Sequence, residues 1–319
     1  MTDARAGETV VLAGGVGAAR LLAGLVQVVD PATLTAVVNT ADDLVLHGLE
    51  ISPDLDTVTY TLAGAIDPER GWGLGGETWQ AMESLRRYDG GAWFNLGDRD
   101  LGTHLFRTAR RRAGGSLSEV TAEIAAAWGL ELRLVPVTDD ELRTRVTIVD
   151  DDPDGQEISF QEYFVQRRHA VPVSAVRFAG AEDTAPAPGV LEAIAGAATV
   201  VIAPSNPIVS IGPVLAVPGV REAVVARRQD VVAVSPIVAG AALKGPADRL
   251  LSELGHESSV VGVARIYAEV AATLVIDTAD AALAGAVEAE GVRCVVTDTI
   301  MSSPQRSAAL AQVVLAGAR

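Results

Sequence analysis

The run Thr9-Val10-Val11-Leu12-Ala13 feeds without a break into Gly14-Gly15-Val16-Gly17, after which Ala18, Leu21, Leu22, Leu25 and Val26 recur at helical spacing. That order reads as a buried strand, a tight glycine turn and a helix. A second apolar run, Leu34 to Val38, ends in Asn39-Thr40-Ala41-Asp42-Asp43. Two strands joined by one helix are parallel, with a right-handed crossover, and a parallel sheet must be covered on both faces. The alternation returns after residue 190. Strands are expected at Thr199–Ala203, Val231–Val234, Thr273–Ile276 and Arg293–Val296, with helices near 189–197, 246–254, 262–270, 279–290 and 303–316. Aromatic residues make up only 4% of the chain. The apolar content is mostly Ala, Val and Leu, which suits strands sandwiched between helices. The expected fold class is α/β, a doubly wound Rossmann-like parallel sheet in three α/β/α layers.

The middle of the chain breaks this rhythm. Helices are expected over Asp54–Ile66, Glu77–Tyr88, Asp100–Ala113 and Ser116–Trp128, with the glycine-rich stretch 71–76 between the first two. Strands follow at Glu131–Val137, Leu142–Val149 and Pro172–Phe178. The acidic run Asp150-Asp151-Asp152-Pro153-Asp154-Gly155 between the last two reads as a solvated hairpin tip. The 319 residues are therefore expected to form one domain, with a core from 1–55 and 185–319 and a mainly helical insertion at 56–184.

Charge and residue usage exclude several functions. The formal net charge of −16 argues against nucleic acid and against an anionic membrane surface as partners. Lys244 is the only lysine, and Gly245-Pro246 follows it, so no phosphate-loop Gly-Lys-Ser/Thr motif exists. With one cysteine, Cys294, there is no intrachain disulfide and no CxxC metal site. His47, His104, His169 and His256 lack the spacing of a zinc site. Residues 1–8 do not read as a signal peptide, and no apolar run is long enough to span a membrane. A cytoplasmic location is expected.

In such sheets ligands bind beyond the C-terminal strand ends. The loops to read there are Gly14–Gly17, Asn39–Asp43, Pro204–Pro207, Ser235–Lys244, Asp277–Asp280 and Asp298–Ser303. Gly14, Gly15 and Gly17 let a backbone and the first N–H groups of a helix approach an anion. Arg20 fills the third glycine position of the dinucleotide fingerprint, and the next strand ends in Asn39 rather than an acid. Both features count against an NAD-dependent dehydrogenase. Arg20 reads as a phosphate contact or as a surface arginine. Asp42-Asp43 and Pro53-Asp54-Leu55-Asp56 bring four carboxylates to neighbouring strand and helix ends, as a Mg²⁺ site would need, although one of Asp54 and Asp56 can instead cap its helix. Leu96-Gly97-Asp98-Arg99-Asp100-Leu101-Gly102-Thr103-His104 enters a helix on which Asp100, Thr103 and His104 share a face. Arg99 there suits an anion. Pro204-Ser205-Asn206-Pro207 is a rigid polar loop or a simple turn.

Together, AGGVGAARLL (13–22), VVNTADD (37–43), ISPDLDTVTYTL (51–62), RGWG (70–73), LGDRDLGTH (96–104), APSNPIVSIGPVLAVPGV (203–220), VAVSPIVAGAALKGPA (232–247) and VTDTIMSS (296–303) resemble the 2-phospho-L-lactate transferase family of coenzyme F-420 biosynthesis. The resemblance runs in order over nearly the whole chain. It implies that a guanosine diphosphate conjugate of a three-carbon acid binds with Mg²⁺. The ribityl hydroxyl of 7,8-didemethyl-8-hydroxy-5-deazariboflavin (Fo) attacks the distal phosphorus, and GMP leaves. Such phosphoryl transfer works by positioning and charge neutralisation.

By resemblance, Asp42 and Asp56 match metal-site aspartates, and Asp56 also lies where Fo binds. Asn95 matches a second Fo position, at which some members carry Lys. Ser205-Asn206 matches the expected guanosine loop. Arg20, Arg99 and the Gly14–Gly17 backbone are candidates for phosphate or carboxylate, with Asp43, Asp98 and His104 beside them. Low Lys with high Ala, Arg and Gly suggests an actinobacterial-type source, and hence the phosphoenolpyruvyl rather than the lactyl donor. A homodimer is expected. The alternative is a related family of nucleotide-sugar-binding regulators. It shares the Gly-rich opening and the Asn-Thr-x-Asp-Asp loop but differs after Asp43.

Overall fold

A computed structural model describes residues 7–88, 93–149 and 155–318. The acidic run at 150–154 lies outside them. Seven core strands, β1 (Thr9–Ala13), β2 (Leu34–Val38), β3 (Arg133–Pro136), β4 (Thr199–Ile202), β5 (Val231–Val234), β6 (Thr273–Asp277) and β7 (Arg293–Thr297), form one sheet in the order β7-β6-β5-β4-β1-β2-β3. Every pairing in it is parallel. The chain order reverses between β1 and β4, which marks the crevice at which such sheets bind ligands.

Side chains alternate across a strand, and here that alternation splits the core in two. Val11, Ala13, Val201, Val232 and Val275 pack under α1 (Gly15–Leu25) and the C-terminal helix Pro304–Gly317. Val10, Leu12, Val200, Ile202, Val231 and Leu274 pack on the other face, under the helices at 190–196, 212–216, 220–226, 247–253 and 260–267. The three-layer expectation is met. Among the described residues no single helix is long and apolar enough to cross a membrane.

The faces press closely. A Cβ on Gly24 would lie 2.2 Å from the Ser307 carbonyl oxygen of the C-terminal helix. Gly24→Ala must push the two helices apart, and overpacking of this kind costs about 1–3 kcal/mol. The expected outcome is a lower unfolding midpoint in urea with an unchanged slope.

The insertion departs from its expected limits. Glu131–Val137 was assigned to residues 56–184, outside the core, but β3 pairs with β2 through Thr35–Val38 and forms the sheet edge. Its Leu134 and Val135 point to opposite cores, as a strand covered on both faces requires. The helices α2 (Pro53–Leu62), α3 (Gln80–Arg86), α4 (Asp100–Arg112) and α5 (Leu117–Ala127) fall where the periodicity put them, each ending one to four residues early. Strands 143–148 and 173–179 pair antiparallel, together with an unforeseen strand at 156–159. A small hairpin, Leu44–Leu46 with Leu49–Ile51, was also unforeseen. Its two-residue turn puts His47 at φ 53° and Gly48 at φ 76°, the left-handed pair that a tight hairpin turn requires.

Candidate active site

The C-terminal ends of β1, β2, β4 and β5 open into a cleft of about 580 Å³. Its wall includes Gly14–Gly17 and Arg20 from the start of α1, Asp42 from the loop after β2, and Asp54, Asp56 and Tyr60 from α2. Asn95, Asp100 and His104 come from the insertion, Ser205 and Asn206 from the loop after β4, and Lys244 from the loop after β5.

The three glycines have separate reasons. Gly14 has no room for a side chain, since a Cβ there would meet Ser210 Cβ at 2.8 Å and Asp54 Oδ2 at 3.0 Å. Gly15 holds φ +70°, and a Cβ on Gly17 would lie 2.2 Å from the Pro204 carbonyl oxygen. The start of α1 is thus locked against β4's loop. Ser205 Oγ tightens the lock by donating to the Gly14 carbonyl at 2.8 Å and accepting from the Gly14 N–H at 3.3 Å. This N–H is not free for an anion, and the Gly15 N–H lies beside the Asp54 carboxylate. Val16 and Gly17 remain on the cleft wall.

The carboxylates divide into two groups. Asn39 ends β2 by accepting the Ala41 N–H at 2.9 Å, and its amide donates to Asp54 Oδ2 at 3.0 Å. Asp54 is thereby aimed at the cleft beside Asp42. Asp42 is pushed well above the usual carboxylate range by burial, then by the charges of Asp54 and Asp43. Asp54 is raised to about 6, again by burial, against the pull of Asn39 and the Gly15 N–H. Asp42 Oδ1 is buried with no hydrogen-bond partner. Two crowded hard-oxygen groups, one with an unused buried oxygen, fit a divalent cation.

Asp56 belongs elsewhere. Arg107 of α4 grips both of its oxygens, through Nη1 to Oδ2 at 3.2 Å and Nη2 to Oδ1. Burial works against the Arg107 charge, but Asp56 outweighs it. His104 Nδ1 lies 3.7 Å from Asp56 Oδ2, and its Nε2 lies 3.3 Å from Asp100 Oδ2. Tyr60 donates its hydroxyl to Asp100 Oδ1 at 2.5 Å. Burial would raise Asp100, yet the hydrogen bonds from His104 and Tyr60 hold it below the usual range. Ligand atoms of Asp56, Asp100 and His104 lie within 4.8 Å of one another. A cation among them would face the Arg107 guanidinium on Asp56.

Several sequence expectations are redistributed. Both oxygens of Asp56 accept from Arg107, and the strongest charge acting on Asp42 is that of Asp54. Arg99 does not reach the cleft. Its side chain is exposed and its guanidinium donates to the Gly75 carbonyl. Asp98 is absent from the cleft wall as well and starts α3, accepting from the Gln80 and Ala81 N–H groups at 3.0 Å each. Asp43 turns away from the cleft into a polar crevice of about 150 Å³ with Glu50, Arg111 and Arg143. There it accepts from Ser52 Oγ at 2.6 Å and is raised by burial to about 7. Asn95 is exposed at the cleft edge, with its Oδ1 3.2 Å from Arg86. Asn206 Oδ1 accepts from the Ile208 N–H at 2.9 Å, and its buried amide nitrogen has no partner.

Sequence reading missed Arg107, Tyr60 and the orienting Asn39. Helical spacing offered a signal for Arg107, since it lies three residues past His104 on the same face. No local signal could pair it with Asp56. Asp277 of β6 has a supporting part. It accepts from the Thr299 N–H at 2.8 Å and the Ala279 N–H at 2.9 Å, tying the 299–301 segment of the cleft wall to the sheet. Burial would raise its pKa, but these bonds lower it. A depressed carboxylate stabilises above the ordinary carboxylate range and loses that contribution as pH falls through its native value. Asp277→Ala is expected to cost about 1–3 kcal/mol at pH 7. The gap to wild type should narrow below about pH 4, as thermal melts across pH would record.

Comparison with known proteins adds independent findings. The family profile described as 2-phospho-L-lactate transferase CofD matches residues 9–314. A protein named phosphoenolpyruvate transferase from Streptomyces griseus subsp. griseus is 47% identical over 308 residues, covering 96% of each chain. Proteins of the same name from Nocardia farcinica and Mycobacterium sp. strain KMS are 45% and 42% identical, over 91% and 98% of this chain and 90% and 98% of theirs. Among solved structures, a UPF0052 family member from Bacillus halodurans superposes with a TM-score of 0.61 at 18% identity, over 96% of this chain and 98% of that one. It shares the fold.

Proposed function

The chain belongs to the 2-phospho-L-lactate transferase CofD family, and from that premise we propose that it transfers a phosphoenolpyruvyl group from its guanosine diphosphate conjugate to the ribityl hydroxyl of Fo. The acceptor oxygen bonds to the distal phosphorus, the bridge to the proximal phosphate breaks, and GMP leaves with the bridging oxygen. The product is a dehydro form of coenzyme F-420-0. The observation that carries this reading is the family match over residues 9–314. The names of the actinobacterial relatives favour the enolpyruvyl donor over the lactyl one. The nucleotide-sugar-binding alternative is not favoured.

Each part of the cleft has a task in this reading. Asp42 and Asp54 would hold Mg²⁺, which when bound would offset charge on the transferring phosphate. Asn39 keeps Asp54 aimed, and the Ser205–Gly14 lock keeps α1 against the donor loop. The unpartnered amide of Asn206 is available to a guanine carbonyl. The buried Tyr60–Asp100–His104 chain and the Asp56–Arg107 pair hold the acceptor wall rigid, so the reacting atoms need little further ordering. A cytoplasmic homodimer is part of the proposal.

The test is competition. Enolpyruvyl and lactyl conjugates are supplied at equal concentration with Fo and Mg²⁺, and the products, which differ by two hydrogens, are separated by mass. A majority of the unsaturated product is expected. A snug pocket separates shapes so alike by only about 1–3 kcal/mol, so some lactyl product should form. Lactyl product in the majority refutes the donor assignment, and no product from either refutes the transferase reading.

A further inference from the structure

We propose that Lys244 and Arg20 form a two-cation clamp for the diphosphate bridge of the donor. Resting on the transferase reading, it names the residues that grip the donor's charged centre. Acids outnumber bases 41 to 25 in this chain. Its arginines are mostly spent on carboxylates or carbonyls, as with Arg107 on Asp56 and Arg99 on Gly75. Among the described residues, Arg20 and Lys244 have neither a hydrogen bond nor an ion pair. Both line the same cleft, and they lie close enough for Arg20 to depress the Lys244 ammonium, after the larger effect of partial desolvation. Two cations kept together without a counter-charge repel each other, and a dianionic bridge removes that cost.

The surroundings are shaped for the lysine head. A Cβ on Gly71 would lie 2.5 Å from the Lys244 ammonium, so the lysine head rests against the Gly71 backbone. Gly71 belongs to the loop in which Arg70 stacks on Trp72 and Trp79 at 5.4 and 5.1 Å. That loop is therefore braced rather than loose. Arg20 projects from α1, whose opening residues Val16 and Gly17 also line the cleft. Helix N-termini favour phosphate. The acidic pair Asp42 and Asp54 lines the same cleft and repels a bare anion. A diphosphate with one side on the cations and the other toward a Mg²⁺ seat satisfies both. A carboxylate, with a single negative charge, would leave one of the two cations unanswered.

The test is calorimetric binding of GDP, GMP and Fo to the full chain in the presence of Mg²⁺. GDP carries the diphosphate but lacks the three-carbon acid. Lys244→Ala and Arg20→Ala are each expected to weaken GDP binding at least about 10-fold, the loss of one charge-assisted contact. GMP should be affected less and Fo should bind as in wild type. Lys244→Arg should restore most of the GDP affinity. If wild type binds GDP and both alanine variants bind it equally well, the clamp is wrong and the transferase reading stands. If only the affinity for the enolpyruvyl conjugate falls in the variants, the cations hold its carboxylate and the diphosphate assignment is overturned. If wild type neither binds GDP nor forms product, the transferase reading fails and takes the clamp with it.

Discussion

Asp42→Asn is expected to lower turnover at least about 100-fold at saturating substrates, and Asp54→Asn to do the same, because the proposed Mg²⁺ would supply several kcal/mol of charge stabilisation. An amide in either place keeps the shape but removes half of the anionic seat. The fold should not suffer. The two carboxylates are buried against each other and repel, so without metal each variant is expected to melt at or above wild type. Mg²⁺ should raise the wild-type melting temperature by mass action and leave both variants nearly unmoved. Near-normal turnover in both variants would sink the cation seat. A Mg²⁺-dependent rise retained by both but lost in Asp56→Asn would move the seat to Asp56.

Arg107→Ala is expected to be the most destabilising single change at the site, by about 3–5 kcal/mol. Arg107 is nearly inaccessible, with 2% of its side chain exposed, and its removal leaves the Asp56 charge buried and uncompensated. Asp56→Leu combined with Arg107→Met removes both charges while keeping volume, and should recover most of the loss. Because the two residues touch, their effects cannot add. Urea denaturation of wild type, both single variants and the double variant gives the coupling directly. Additive effects would show that the pair contributes nothing beyond its separate parts.

The elements were legible where their signal is local. Period-two and period-3.6 patterns placed β1, β2, α1 and the C-terminal helix within a few residues. The capping box that starts α5 at Ser116 and Glu119 lies in one tetrapeptide. The short hairpin at 44–51 was missed because Leu44-Val45-Leu46 is too brief to show a period. β3 was seen as a strand but given to the insertion, because nothing within Glu131–Val137 says which neighbour it will pair with.

The sequence by itself determined the three-layer α/β architecture, the family and the set of polar loops from which the cleft is built, since these depend on patterns within single segments and on their order. Which residues meet was decided only in three dimensions. Asp56 and Arg107 are 51 residues apart, and Asp54 faces Asp42 because Asn39, at the end of a different element, turns it there. Asp54 and Asp56 lie two residues apart on α2 and both line the cleft, but they meet different partners, the Asn39 amide for one and the buried Arg107 guanidinium for the other. Helical rotation of about 200° over two residues is the physical reason that four nearby aspartates did not make one site.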